Sequence, residues 1–380
     1  MKIVLYIHCL RGGGAERWAA NLLAWWAEHE HSVTLITDLE PSTDFYTIPS
    51  TIRRVVLPLT FLHKVHPAIG RIVALRRVLK VVVPDVVVAA EPRANVSIGI
   101  SCFGLAGVTL IGCEQNVPES DGMGPFWSFL RRLCYGLLDA VVGVSGEIAN
   151  WLLQHTTARR TLSIVNPLRF PLPFQQPVVA VESVVSPGPH VIIAVGRLVP
   201  QKGFDILLRA FARVPMRQGW HLVILGDGPL RADLVALVTA LGLADVVHLP
   251  GRVGNLGDFY ERGDLYVMSS RFEGFPNTLM EAMSYGLPAV SFDCDTGPRD
   301  IIRPGIDGEL VPPQDEAALS ASLFRLMADA PLRARLGSRA VEARERFSLE
   351  RIAKMWDELI ADLRPAGTGV REGAHTMQEK

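Results

Sequence analysis

The sequence predicts an α/β chain of two doubly wound parallel-sheet domains, and three observations lead there. Short, β-branched, wholly apolar runs alternate with longer amphipathic stretches, the pattern of parallel strands covered on both faces by helices. That pattern runs once, stops at a proline-rich segment, and starts again. The chain has 380 residues, enough for two domains with cores of ordinary size.

In the first half, Lys2–His8, Val33–Thr37, Arg54–Leu57, Val86–Ala90, Val108–Cys113 and Ala140–Val144 read as strands. Ala15–His29, Pro67–Val81 and Pro125–Leu138 read as helices between them. This gives a first domain over 1–168. Pro171, Pro173, Pro177, Pro187 and Pro189 then break any period, so 169–189 reads as a linker. A second domain over 190–345 follows. Its strands are His190–Val195, His221–Leu225, Val246–Leu249, Leu265–Met268 and Ala289–Phe292. Its helices lie near Gly203–Val214, Leu230–Leu241, Leu256–Gly263 and Asn277–Tyr285. Gln314–Ile360 reads as helical throughout, with 346–364 expected to cross back to the first domain. Residues 365–380 have no apolar face and are expected to be disordered.

Composition excludes several classes. Hydrophobic residues make up 49% and charged residues 20%, so the chain folds into a globule. The net charge of −1 offers no bulk attraction to nucleic acid. Five scattered cysteines without a CxxC pair indicate neither a disulfide framework nor a zinc site, and fit a reducing cytoplasm. Met1–Ile7 is too short and strand-like for a signal peptide. Ala94–Cys113 carries no charge over twenty residues and has the length of a membrane span. Its four glycines and its Val-Thr-Leu-Ile run favour a buried helix followed by a buried strand.

The chemistry concentrates in Arg271-Phe-Glu-Gly-Phe-Pro-Asn-Thr-Leu-Met-Glu281, where seven residues separate Glu273 from Glu281. Asn277 is expected to be an N-cap, and the helix it opens offers free N–H groups and a positive dipole end to a diphosphate. Two carboxylates beside it can bind sugar or ribose hydroxyls; the competing reading is a capped surface helix with ordinary acids. Gly196-Arg197 and Lys202 end the first strand of the second domain. Two cations there can neutralise a diphosphate without a metal. Gly226-Asp-Gly228 is another close-approach loop. Gly12-Gly13-Gly14 follows the first strand and suits phosphate contact. With Asp38 it also imitates a dinucleotide fingerprint, but Arg17 stands where a third small residue belongs. Asp293-Cys-Asp295 resembles a metal-binding carboxylate pair; beside the cations a metal is redundant, so none is expected and the pair reads as structural or substrate-facing.

Val195-Gly-Arg-Leu-Val-Pro-Gln-Lys-Gly-Phe204, Gly226-Asp-Gly-Pro-Leu-Arg231, Ser270-Arg-Phe-Glu-Gly-Phe-Pro-Asn277 and Glu281-Ala-Met-Ser-Tyr-Gly-Leu-Pro288 resemble glycosyltransferase family 4, of GT-B architecture with two Rossmann-like domains. Gly12-Gly-Gly-Ala-Glu-Arg17 and Gly308-Glu-Leu-Val-Pro312 resemble that family's first loop and late turn, so the likeness spans nearly the whole chain. It implies that Arg197 and Lys202 bind the donor diphosphate and that Glu273 contacts the donor sugar. Amides of Phe275, Pro276, Asn277, Thr278 and Leu279 would surround phosphate and sugar. Glu281 would take the ribose hydroxyls, Gly13 and Gly14 would close over the phosphates, Gly196 and Gly228 would line the donor, and Arg252 and Val253 would flank the base. One departure concerns the acceptor side. The family often places a His after the fifth strand, where this chain reads Glu114-Gln115-Asn116, and Gln115 cannot shuttle a proton.

The activity implied is transfer of a sugar from a nucleotide sugar, a UDP-sugar, to a glycan or lipid-linked acceptor in cell-surface polysaccharide synthesis. It would proceed with retention and without a cofactor. No convincing carboxylate nucleophile is evident, so front-side attack is expected. A GT-B sugar-nucleotide epimerase and a silent nucleotide-sugar-binding subunit are the alternatives; the intact Arg197, Lys202, Glu273 and Glu281 set speaks against silence. Between Arg53 and Lys80 lie seven Lys or Arg and no acid. The basic stretch 64–80 and the aromatic–basic stretch 126–132 are expected either to meet an anionic membrane at its inner face or to be ordinary solvated surface.

Overall fold

The computed structural model describes residues 1–58, 66–119, 122–215 and 218–364. The tail expected to be disordered and residues 64–65 of the basic stretch lie outside them. Seven parallel strands form the first sheet, in the order β3-β2-β1-β4-β5-β6-β7. They are β1 Lys2–Ile7, β2 Ser32–Thr37, β3 Arg53–Val56, β4 Val86–Ala90, β5 Thr109–Glu114, β6 Ala140–Gly143 and β7 Thr161–Ser163. Six form the second, ordered β10-β9-β8-β11-β12-β13. These are β8 His190–Val195, β9 Trp220–Leu225, β10 Val247–Gly251, β11 Leu265–Met268, β12 Ala289–Phe292 and β13 Gly308–Val311. Strands β4 and β6 are buried at every residue, as expected of strands with helices on both faces.

Helices α1 Gly14–Glu28, α2 Pro67–Val82, α3 Pro92–Cys102, α4 Gly124–Cys134 and α5 Gly146–His155 belong to the first domain. The second holds α6 Phe204–Arg213, α7 Arg231–Ala240, α8 Leu256–Arg262, α9 Asn277–Ser284, α10 Pro298–Ile301, α11 Glu316–Ala328, α12 Ala330–Ala340 and α13 Ala343–Arg346. The uncharged stretch near residue 100 is α3 followed by β5, a central strand. Among the described residues, no helix is long and apolar enough to cross a membrane.

The segment read as continuous helix is instead several helices. Asp315, Asp329 and Ser348 each accept a hydrogen bond from an amide of the next helix's first turn and so restart it. The last helix, α14 Leu349–Leu363, packs on α1 of the first domain. Trp356 meets Trp18 at 5.4 Å between ring centroids, and the Trp25 and Trp26 indoles donate to Asp357 at 2.9 and 3.0 Å.

Strand order reverses between β1 and β4 in one sheet and between β8 and β11 in the other. At such a switch point the two following loops diverge and leave a crevice at the carboxyl ends of the strands. The loops after β1 and β8 carry Gly12–Gly14 and Arg197. Those after β4 and β11 carry Glu91 and Glu273.

Candidate active site between the two domains

A cavity of about 300 Å³ lies between the two switch points. On the second-domain wall, Lys202 Nζ donates to Glu273 Oε1 at 2.5 Å, and Ser270 Oγ donates to the same oxygen at 2.5 Å. Glu273 is buried, so its charge is matched by an ammonium and a hydroxyl rather than by water. Gly196 leaves room for the Lys202 stem: an added Cβ would stand 3.1 Å from its Cγ and Cδ. Arg197 is exposed and faces the Glu16 carboxylate of the opposite domain.

Helix α9 opens beside this group, but not through a side-chain cap. Pro276 occupies the N-cap position and Asn277 is already helical. The expected capping role of Asn277 is therefore corrected. Its Nδ2 donates to Gly14 O across the cleft at 3.1 Å, and its Oδ1 accepts from Asn166 Nδ2 at 3.0 Å. Asn166 also donates to Gln115 Oε1 at 3.2 Å. These bonds tie the first-domain wall to the start of α9. Gly274 permits the approach, since a Cβ there would overlap the Gln115 carbonyl oxygen. Arg252 Nη1 adds a bond to Arg11 O at 2.9 Å and lies over the Phe45 ring at 4.8 Å.

Most residues singled out from sequence border this cavity. Gly13, Gly14, Gln115 and Asn116 do so from the first domain, and Gly196, Arg197, Lys202, Arg252 and Val253 from the second, with Glu273 and the run Phe275–Thr278. Four stand elsewhere. Glu114 is buried in the first domain, accepting from the Tyr135 hydroxyl with Arg131 3.9 Å away, so its place is the core and not the acceptor side. Gly228 packs on the Leu198 backbone, and Leu279 is fully buried behind α9's first turn.

Glu281 is the fourth. It borders a smaller neighbouring void of about 70 Å³ and is only 1% exposed. The guanidinium of Arg17 from α1 pairs with it, and Arg17 Nε also donates to Tyr46 Oη at 3.2 Å. Burial raises the Glu281 carboxyl above its ordinary range, while Arg17 and the Tyr260 hydroxyl pull it back. A ribose would reach this carboxylate only after displacing Arg17. Asp293 is held by Arg299 through two bonds of 2.6 and 2.9 Å. Among the described residues, no group of three or more His, Cys, Asp or Glu is arranged to hold a metal.

Sequence reading gave no site role to several first-domain residues at this cleft, among them Glu16, Arg17, Glu91 and Asn166. Arg17 was visible as a break in the glycine fingerprint and as the end of the family-like first loop, neither of which pointed to Glu281. Glu91 precedes Pro92, which marks a helix start and says nothing of a site. Burial, then repulsion from Glu16, pushes the Glu91 carboxyl up to about 7. Glu16 is raised by burial as well. His8, whose Nδ1 lies 2.8 Å from Asp38 Oδ2, is raised chiefly by that hydrogen bond.

Residues 12–167 match the profile for Glycosyltransferase Family 4, and residues 180–343 match that for Glycosyl transferases group 1. A Campylobacter jejuni protein named as an α-1,4-N-acetyl-D-galactosaminyltransferase acting on a diphosphoundecaprenol-linked saccharide is 29% identical over 374 residues, covering 96% of this chain and 100% of that one. The exopolysaccharide phosphotransferase SCO2592 of Streptomyces coelicolor is 42% identical over 174 residues, 45% of this chain; the match spans only 18% of that protein. Among solved structures, Anabaena Alr3699/HepE in complex with UDP-glucose superposes with a TM-score of 0.79 at 20% identity, over 95% of this chain and all of that one. That likeness concerns the fold.

Proposed function

Because the chain belongs to the family 4, group 1 glycosyltransferases, we propose that it moves a sugar from a UDP-sugar to a hydroxyl of a glycan or lipid-linked oligosaccharide, with retention at the anomeric carbon. It is a glycosyltransferase of the kind that builds cell-surface polysaccharide, as its relatives in exopolysaccharide and lipopolysaccharide synthesis are named. One observation carries the donor assignment: Lys202, Arg197 and the start of α9 converge on one cavity whose other wall is the Gly12–Gly14 loop.

Cleavage of the donor leaves negative charge on phosphate oxygens. Fixed cations and amides aimed there need no reorganisation as the bond breaks, and one such donor is typically worth about 3 kcal/mol. In this reading Lys202 and Arg197 bind the diphosphate, and no metal or other cofactor takes part. Glu273, fixed by Lys202 and Ser270, orients the donor sugar. The acceptor oxygen attacks from the face the diphosphate leaves. Its proton passes to a departing phosphate oxygen, so no protein nucleophile is required.

The reading extends to an anionic membrane surface on the inner side of the cell envelope. Of the four cations on α2, Arg71 pairs with Asp38 at 3.2 Å and Arg76 donates to the Ser101 and Phe103 carbonyls, which leaves Arg77 and Lys80 exposed. The stronger support comes from α4, where Phe126, Phe129 and Leu133 are 65%, 58% and 50% exposed beside Arg132.

The test is a panel of nucleotide sugars scored by thermal stabilisation, then by turnover. Stabilisation by UDP-sugars, with at least a ~10²-fold loss of turnover in Arg197→Ala or Lys202→Ala, is expected. Unchanged kinetics in both variants rejects their role. Conversion of a UDP-sugar to its epimer without acceptor rejects transfer as the reaction.

A further inference from the structure

The donor groups occupy the second-domain wall, and the opposite wall has its own carboxylate. Glu91 directly follows β4, which stands to β1 as β11 stands to β8. It is therefore the first-domain counterpart of Glu273, at the other switch point of the same cavity. Its backbone is held at φ 79°, ψ 148°, a region that essentially only glycine occupies. Two bonds fix it there: Glu91 N donates to Cys113 O at 3.0 Å, and Glu91 O accepts from Asn95 N at 3.0 Å. Unlike Glu273, the Glu91 side chain has no hydrogen-bond or ion-pair partner among the described residues. It borders the cavity with Glu16 of α1 beside it.

At the Glu91 end of this wall, two carboxylates disfavour a phosphate on the acceptor and favour a hydroxyl donor. We propose that Glu91 accepts a hydrogen bond from an acceptor-sugar hydroxyl next to the attacking one, whose own proton goes to the departing phosphate, and that the reacting end of the acceptor is therefore an uncharged sugar. This rests on the glycosyltransferase reading and adds the chemistry of the acceptor subsite. Any lipid diphosphate on the acceptor then lies outside this part of the cleft. The charged groups facing Glu91 are Glu16 on α1, His8 after β1, Asp38 after β2 and Arg93 on α3. Ionisation of Glu91 strengthens the bond, so transfer should rise with pH through about 7.

The experiment compares the wild type with Glu91→Gln and Glu91→Gly. Glycine suits the backbone at this position, so Glu91→Gly removes the carboxylate while relieving strain and should melt no lower than the wild type. Donors are UDP-glucose, UDP-galactose and their N-acetylhexosamine counterparts. Acceptors are the octyl glycosides of the same sugars and their 6-phosphates. Both variants should keep UDP affinity within about twofold and keep donor hydrolysis. Transfer to octyl glycosides should fall about tenfold to a hundredfold, mainly through acceptor KM, the range for losing a hydrogen bond to a charged group. The pH-dependent rise should vanish in Glu91→Gln. The proposal is overturned by unchanged transfer in both variants, by loss of UDP binding together with transfer, or by a wild type that hydrolyses donor yet uses no neutral glycoside. Absence of both UDP binding and donor turnover in the wild type removes the underlying reading instead.

Discussion

Replacing Arg17 by Met isolates one buried carboxylate, and the cost can be worked from the structure. Glu281 is 1% exposed and Arg17 17% exposed, so the pair is screened little by solvent. Without the guanidinium, Glu281 has two options. It can stay charged, at the roughly 3–5 kcal/mol typical of a broken buried pair. Or it can take a proton. From an ordinary value of 4.5, protonation at pH 7 costs about 3 kcal/mol, and at pH 5 under about 1 kcal/mol. The easier route sets the loss.

The sign follows from linkage. In the variant the folded pKa of Glu281 lies above its unfolded value, so the folded state holds a proton that the unfolded state releases. Stability is then fully present below about 4.5 and is lost as pH rises towards the folded value. Because the wild-type carboxyl is itself raised by burial, Arg17→Met should lose up to about 3 kcal/mol relative to wild type at pH 7 and little at pH 5. Urea unfolding at the two pH values measures this. A companion Arg17→Met/Glu281→Gln protein should recover most of the loss at pH 7, since no charge remains to bury. Wild-type stability in Arg17→Met at pH 7, or the same deficit at both pH values, refutes the reasoning.

Three further outcomes are expected. Glu91→Gln should flatten the decline in stability between about pH 4.5 and 7. The raised carboxyl favours the fold below the lower value and stops doing so above the upper one, a difference of about 3 kcal/mol, and melts across that range would show it. Gly274→Ala should push the Gln115 backbone from α9, costing about 1–3 kcal/mol and lowering turnover at least tenfold, with a larger radius of gyration in small-angle scattering. Phe126→Ser with Phe129→Ser should reduce sedimentation with phosphatidylglycerol vesicles at least tenfold, because each exposed ring is worth about 1.5–3 kcal/mol when buried; equal binding in both proteins excludes this face.

Much of this was legible because parallel strands and glycine loops leave strong local marks. The runs Val86–Ala90 and Ala140–Gly143 are apolar at every residue or nearly so, and both proved central. Strands β7 and β13 were missed because three and four residues show no period. On the site, Lys202 and Glu273 were readable from loop chemistry. Arg17, Asn166 and Glu91 were not, because each acts through a partner more than a hundred positions away or through a backbone angle that side-chain identity does not announce. Asn277 illustrates the difficulty: its residue type suits a cap, yet its amide bridges two domains. Glu114 is the last residue of β5 and is buried in the core, while Gln115 lies just past the strand end at the cleft, a difference that residue type does not announce.

The packing of α14 against Trp18, Trp25 and Trp26 has a consequence for biosynthesis. During translation, the amino-terminal lobe emerges first but lacks the surface that covers these three indoles until residues 349–363 have left the ribosome. The intervening lobe can consolidate before its predecessor is finished. A nascent chain stalled near residue 345 should therefore present an uncovered tryptophan face to chaperones.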